Sequence, residues 1–298
     1  MKSTLAAGVN GAVDTIAPLP NGDLVVSGAF SAAVGFGSME RMARWTGTAW
    51  SALAPGTDGA AAAIVARSNG DLVIGGAFAT VDGVPANGVA RWNGATWSAI
   101  GGGVNGGVLA MVEMPNGDLV VGGQFSTAGG SPANNIARWN GSTWSSIGTG
   151  VDSIVASLLA LPNGDLVAGG YFATAGGAPA SRIARWDGTT WSPLGAGTNS
   201  IVQALARLPN GDVVAGGFFT TAGGTPASRI ARWDGSTWSP LGGGGAEFCV
   251  CDIQAHRRLG HHHPLQRRGR IDLRAFGRHH HRTMMCRPIR CSTRPPSR

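Results

Sequence analysis

The tripeptide Asn-Gly-Asp starts at Asn21, Asn69, Asn116, Asn163 and Asn210, and Ala-Arg-Trp starts at Ala43, Ala90, Ala137, Ala184 and Ala231, always 47 or 48 residues apart. A unit repeated at this period is one supersecondary motif that cannot bury its own apolar faces, so it must stack on its neighbours. A second tryptophan follows each first one by five residues, and the five pairs account for all 10 tryptophans. Within the fifth copy the runs 202–208, 212–219, 229–233 and 237–241 have strand length and strand composition. Asn-Gly-Asp between the first two runs and Asp-Gly-Ser between the last two supply the positive φ that two-residue hairpin turns need. Four antiparallel strands per copy, covered on both faces by neighbouring copies, make a propeller blade. The chain therefore reads as all-β, a β-propeller of five four-stranded blades or a truncation of a six- or seven-bladed parent. Five blades are expected to close into a ring, because an open arc would expose two apolar blade faces.

Composition agrees with short strands and tight turns: 49 of 298 residues are Gly and 13% are charged. The net charge of +7 would ordinarily raise nucleic acid as a partner. Residues 1–245, however, carry 11 Lys and Arg against 13 Asp and Glu, so the excess lies after them. No nucleic-acid partner is expected for the repeats, and no apolar run is long enough to span a membrane.

Four apolar or small residues, a Gly pair and two spaced aromatics, as in LVIGG at 72–76 and LVVGG at 119–123, resemble the kelch repeat over residues 9–243. Trp stands where kelch repeats commonly carry Tyr. The version here is similar to the Gly-rich repeats of bacterial surface proteins and of fungal cortical polarity-marker propellers. That resemblance implies an exported protein of extracellular or cell-surface location, although the N-terminus holds no secretory signal segment. The Gly pairs are expected to permit close approach and a bulge, with Phe30, Phe78, Phe125, Phe172 and Phe219 packing between blades. Arg44, Arg91, Arg138, Arg185 and Arg232 recur beside tryptophan, and Asp23, Asp71, Asp118, Asp165 and Asp212 recur in the turns; such regularity points to one structural staple per blade.

Material for catalysis is scarce. The repeats hold no His, no Cys, one Tyr and one Lys, which excludes His-dependent triads, a zinc hydrolase and the copper and Tyr-Cys chemistry of galactose oxidase, an enzyme built on a kelch propeller. Asn10, Asp58, Asn105, Asp152 and Asn199 occupy one equivalent position in the linkers between copies. In kelch-like propellers this linker opens onto the binding face, where Asn and Asp oxygens are suited to accept hydrogen bonds from a sugar or to ligate Ca²⁺; capping a turn is the competing role. Loops 79–87, 126–135, 173–181 and 220–228 share that face, with Arg182 and Arg229 as anchors. The expectation is a non-catalytic binding or structural module that meets a protein or glycan through one face and needs no cofactor or metal. The alternative is a glycan-acting enzyme using carboxylates on that face.

Residues 246–298 break the pattern. They hold 12 Arg, both His triplets and all four cysteines (Cys249, Cys251, Cys286, Cys291), in spacings that match no standard zinc arrangement. They read as a disordered or frameshifted tail. At the other end, residues 3–8 match 51–56 and so read as the last strand of a preceding copy.

Overall fold

The computed structural model describes residues 8–33, 37–38, 41–53 and 56–241. The expectations for residues 3–7 and for the tail, its cysteines and histidines included, lie outside the described residues. Among those residues there is no helix long and apolar enough to cross a membrane.

Each copy forms one four-stranded antiparallel sheet with its strands in chain order. In blade 3 these are Gly107–Glu113, Leu119–Gln124, Ile136–Trp139 and Trp144–Ser146. The first strands of the others are Ala12–Pro18, Ala60–Ala66, Val155–Ala160 and Val202–Arg207. The turn after the first strand is one residue longer than expected. Met114 N–H donates to the Asp118 carbonyl at 2.8 Å and Gly117 N–H to the Met114 carbonyl at 2.9 Å, with Gly117 at φ +86°. This is a three-residue loop in which a turn is closed by a left-handed Gly. The segment between the second and third strands, read from the sequence as a loop, holds a small hairpin in every blade, such as Thr127–Ala128 paired with Ser131–Pro132. The linker joins it through a single bridge, Val104 to Ala128 in blade 3.

The two residues of the Gly pair serve different contacts. A Cβ on Gly123 would stand 2.0 Å from the Gly107 carbonyl oxygen, where the register slips between Val108 and Ala110, so this residue permits the bulge. A Cβ on Gly122 would stand 2.5 Å from Val155 Cγ1 of blade 4, so this one permits blade-to-blade approach. Gly169 meets Val202 in the same way at 2.6 Å. Blade 1 carries Ser27 instead, and the facing residue of blade 2 shrinks to Ala61, whose carbonyl accepts the Ser27 hydroxyl at 2.9 Å. Bulk is thus conserved across each junction while its owner changes.

The paired tryptophans face each other across the third and fourth strands, with ring centroids 5.2–5.5 Å apart and planes tilted by 48–54°. The indole of the second reaches the preceding blade: Trp144 Nε1 donates to Ile100 at 3.0 Å, Trp191 to Ile147 at 2.9 Å and Trp238 to Leu194 at 2.7 Å. The core consequently lies between blades, in clusters that mix residues of successive copies, as Val120 and Ile136 of blade 3 join Val155 and Leu158 of blade 4.

Ring closure is the expectation the structure corrects. Among the described residues, the first strands of successive blades pack side by side from blade 1 to blade 5, but those of blades 5 and 1 do not. Ile16 is 40% exposed, whereas Leu158 and Leu205, its counterparts in blades 4 and 5, are 7% and 2% exposed. Among the described residues the junction between blades 5 and 1 is thus not formed in the way the other four are.

Candidate functional site

The five linker residues lie in equivalent places, and each folds back on its own blade. The Oδ1 atoms of Asn10, Asp58, Asn105, Asp152 and Asn199 each accept two consecutive backbone N–H groups just past the second strand, at 2.9–3.0 Å. The choice of amide or carboxylate follows the partner. Where that loop begins with Ser31, Ser126 or Thr220 the capping residue is Asn, and its Nδ2 donates to the hydroxyl at 2.8–3.0 Å. Where it begins with Ala79 or Ala173 an amide nitrogen would lack this acceptor, and the residue is Asp58 or Asp152. The backbone N–H of Thr80, with that of Ala79, holds the Asp58 carboxyl below its ordinary range. At Asp152 burial pushes upward, and the N–H groups of Thr174 and Ala173 outweigh it.

The repeated charges are used within blades. Asp118 lies 3.2 Å from Arg138 and Asp212 lies 3.4 Å from Arg232, while Asp23 with Arg44, Asp71 with Arg91, and Asp165 with Arg185 complete the set. In the turn, Asn116 Nδ2 also donates to Asp118 at 2.9 Å. The hydrogen bond from Arg44 holds Asp23 below the usual carboxylate range. These pairs are the staple expected from the sequence, formed between guanidinium and turn carboxylate. In the last turns, Asp187 and Asp234 accept backbone N–H groups from Thr189, Thr190, Ser236 and Thr237 at 2.8 Å, which lowers both carboxyls strongly. Among the described residues no three His, Cys, Asp or Glu side chains gather as a metal cluster.

Blades differ on one rung of the linker face. The residue after the Gly pair is Ala29, Ala77, Gln124, Tyr171 and Phe218 in the five copies, and it is exposed in each. Opposite it stand Ala12, Ala60 and Gly107 in blades 1 to 3. In blades 4 and 5 the opposite residues are Ile154 and Ile201, whose carbonyls accept the Tyr171 and Phe218 N–H groups at 2.9 Å. The neighbouring residue of the third-strand loop is Arg41, Gly88, Asn135, Arg182 and Arg229, all left-handed, with φ of +73° at Arg182 and +65° at Arg229. Arg182 Nη1 donates to the Tyr171 carbonyl.

Small residues at this rung leave a cleft of about 600 Å³ between blades 2 and 3, lined by Ala77, Phe78, Asn87, Gly103, Asn105 and Thr127. Large ones make a ridge on blades 4 and 5. Sequence reasoning singled out Arg182 and Arg229 but not Ile154, Tyr171, Ile201 or Phe218; their signal is departure from the repeat at a position where other copies carry Ala, Gly or Gln.

No curated protein matches the chain. Among solved structures, virginiamycin B lyase from Staphylococcus aureus is similar with a TM-score of 0.50 at 10% identity, over 76% of this chain and 69% of that one. The extracellular domain of the hybrid two component system BT3049 from B. thetaiotaomicron gives 0.48 at 13% identity over 74% of this chain; the alignment covers only 26% of that larger chain. YCF48 bound to D1 peptide gives 0.46 at 17% identity, over 76% and 65% of the two chains. At these identities the likeness is one of fold. A family model for the Rax2 C-terminal beta propeller domain matches residues 43–211, more than half of the chain, and the chain therefore belongs to that family.

Proposed function

We propose that this propeller, of kelch-like repeat type and exported, is a non-catalytic binding module that meets a protein or glycan through the face carrying its linkers and small hairpins. The observation that carries this reading is a division of labour. Ionisable groups common to all copies are engaged within their blades, whereas the residues that change from copy to copy gather on one exposed rung of that face. The glycan-acting alternative needs a carboxyl held protonated near neutral pH as general acid. Asp23, Asp58, Asp152, Asp187 and Asp234 are all shifted the other way.

The test is a panel of glycans, peptides and Ca²⁺ presented to the full chain, alongside the variant Gly107→Trp. A Cβ on Gly107 meets only Ala77 Cβ, at 3.8 Å, so the strand accepts a side chain at this rung. The expected result is a ligand bound by the parent chain and lost in the variant, with no chemical change in the ligand. Absence of any bound ligand, binding indifferent to the variant, or release of a cleaved product would each defeat the reading.

A further inference from the structure

We propose that the ridge on blades 4 and 5, formed by Ile154, Tyr171, Ile201 and Phe218 and flanked by Arg182 and Arg229, is the recognition edge of this face and binds an acidic peptide segment bearing an apolar side chain. The proposal rests on the reading above, that this face binds.

Three observations meet here. The first is apolar exposure: Tyr171 is 37% and Phe218 42% exposed, two of the four large hydrophobic side chains so exposed among the described residues. They occupy the same rung of adjacent blades whose first strands pack together. A scaffold position that is Ala in blades 1 and 2 gains nothing in blade packing from an exposed ring, whereas an interface does. The second is unspent charge. Among the described residues Arg44, Arg67, Arg91, Arg138, Arg185 and Arg232 pair with carboxylates, while Arg41, Arg182, Arg207 and Arg229 have none within ion-pair reach; Arg182 and Arg229 are the two of these that neighbour the rung where the rings stand. Two guanidiniums without a carboxylate partner on these blades, one of them donating to the Tyr171 carbonyl, favour carboxylates in the ligand. The third is backbone strain. Left-handed φ suits the Gly88 or Asn135 of blades 2 and 3 and costs an Arg about 1–2 kcal/mol; Arg41 of blade 1 bears the same cost at φ +63°, but only in blades 4 and 5 does the strained Arg share its rung with a large exposed ring.

The branched aliphatic side chains of Ile154 and Ile201 select between acidic ligands. A saccharide stacks on flat rings, whereas isoleucines beside the rings offer a surface that packs leucine, valine or phenylalanine side chains of a peptide.

The full chain would be exposed to an array of dodecapeptides graded in acidic and apolar content, with polygalacturonate as the acidic glycan, and the strongest binders measured in solution. Tyr171→Ala and Phe218→Ala are the first variants. Arg182→Asn and Arg229→Asn are the second pair, and because Asn135 already occupies this position in blade 3 they relieve the backbone and are expected to fold at least as well as the parent. The expected result is binding of peptides that are both acidic and apolar, weakened about tenfold or more by each ring variant. The Asn variants weaken it similarly and flatten its salt dependence. The Arg-rich tail attracts acidic probes equally in parent and variants, so only the difference counts. Peptide binding that is unchanged in all four variants refutes the ridge; if Gly107→Trp still abolishes it, the face remains a binding surface and only the ridge is rejected. Preferential ridge-dependent capture of polygalacturonate, or absence of peptide binding, also overturns the proposal.

Discussion

The exchange of bulk across blade junctions makes a quantitative prediction. At the blade 3 to blade 4 junction, a side chain on Gly122 would meet Val155 Cγ1 at 2.5 Å and Leu158 Cδ1 at 3.3 Å, and Val155 is fully buried. Gly122→Ser therefore overpacks the junction and is expected to cost about 2–3 kcal/mol. Val155→Ala removes two methyl groups, about 1.6 kcal/mol of transfer free energy plus a cavity term, for about 2–3 kcal/mol in all. If the sites were independent, the double variant would lose about 4–6 kcal/mol. It instead rebuilds the junction found between Ser27 and Ala61, in which the hydroxyl donates to the facing carbonyl at 2.9 Å. The expected loss is about 1–2 kcal/mol, a coupling of about 3 kcal/mol. Thermal unfolding followed by tryptophan fluorescence reads this directly, at about 2–4 °C per kcal/mol for a domain of this size. A double variant whose midpoint falls by the sum of the two single shifts would refute the idea that the junction is held by complementary bulk.

Two further outcomes follow from the same geometry. Trp144→Phe keeps a ring but leaves the Ile100 carbonyl without its donor, whereas the buried Trp97 Nε1 has no partner to lose; denaturant titration should show Trp144→Phe costing about 1–2 kcal/mol more than Trp97→Phe, and equal costs would remove the indole bond from the list of junction contacts. Asp187 and Asp234 have folded-state pKa values below the ordinary 3.8, so they stabilise the fold above that pH and the contribution is lost as pH falls through the folded values. Asn93 and Asn140 fill the same turn in blades 2 and 3, so Asp187→Asn should fold normally and differ from the parent by a constant amount near neutral pH. That difference should shrink below about pH 4, and a pH-independent difference in unfolding midpoint would contradict it.

Much of the fold is legible in the sequence because its determinants are local. Asn-Gly-Asp marks a turn wherever it stands, and the paired tryptophans fix the register of the third and fourth strands through direct opposition. The role of the Gly pair and the Asp118 to Arg138 staple follow from the same regularity. The hairpin Thr127–Ala128 with Ser131–Pro132 escapes a reading by periodicity because two-residue strands are shorter than one period of alternation. Closure escapes it for another reason: the angle between adjacent blades is set by many junction contacts, and a small change in each accumulates over five copies. The site is legible only in part. Asn10, Asp58, Asn105, Asp152 and Asn199 are found by their repetition, whereas Tyr171 and Phe218 differ from the copies around them, which a search for constancy passes over.

The partners of the linker caps sit 21 or 22 residues apart within a single copy, whereas Gly122 and Val155 belong to successive copies. Genetic duplication or deletion of a whole copy thus carries every cap along intact and tests only the new seam. Copies three to five all present Gly ahead and Val behind, so an insertion among them meets a ready fit. Copy one, with its Ser27, accepts only a successor that offers Ala. Blade number is accordingly free to drift at one end of this lineage and constrained at the other.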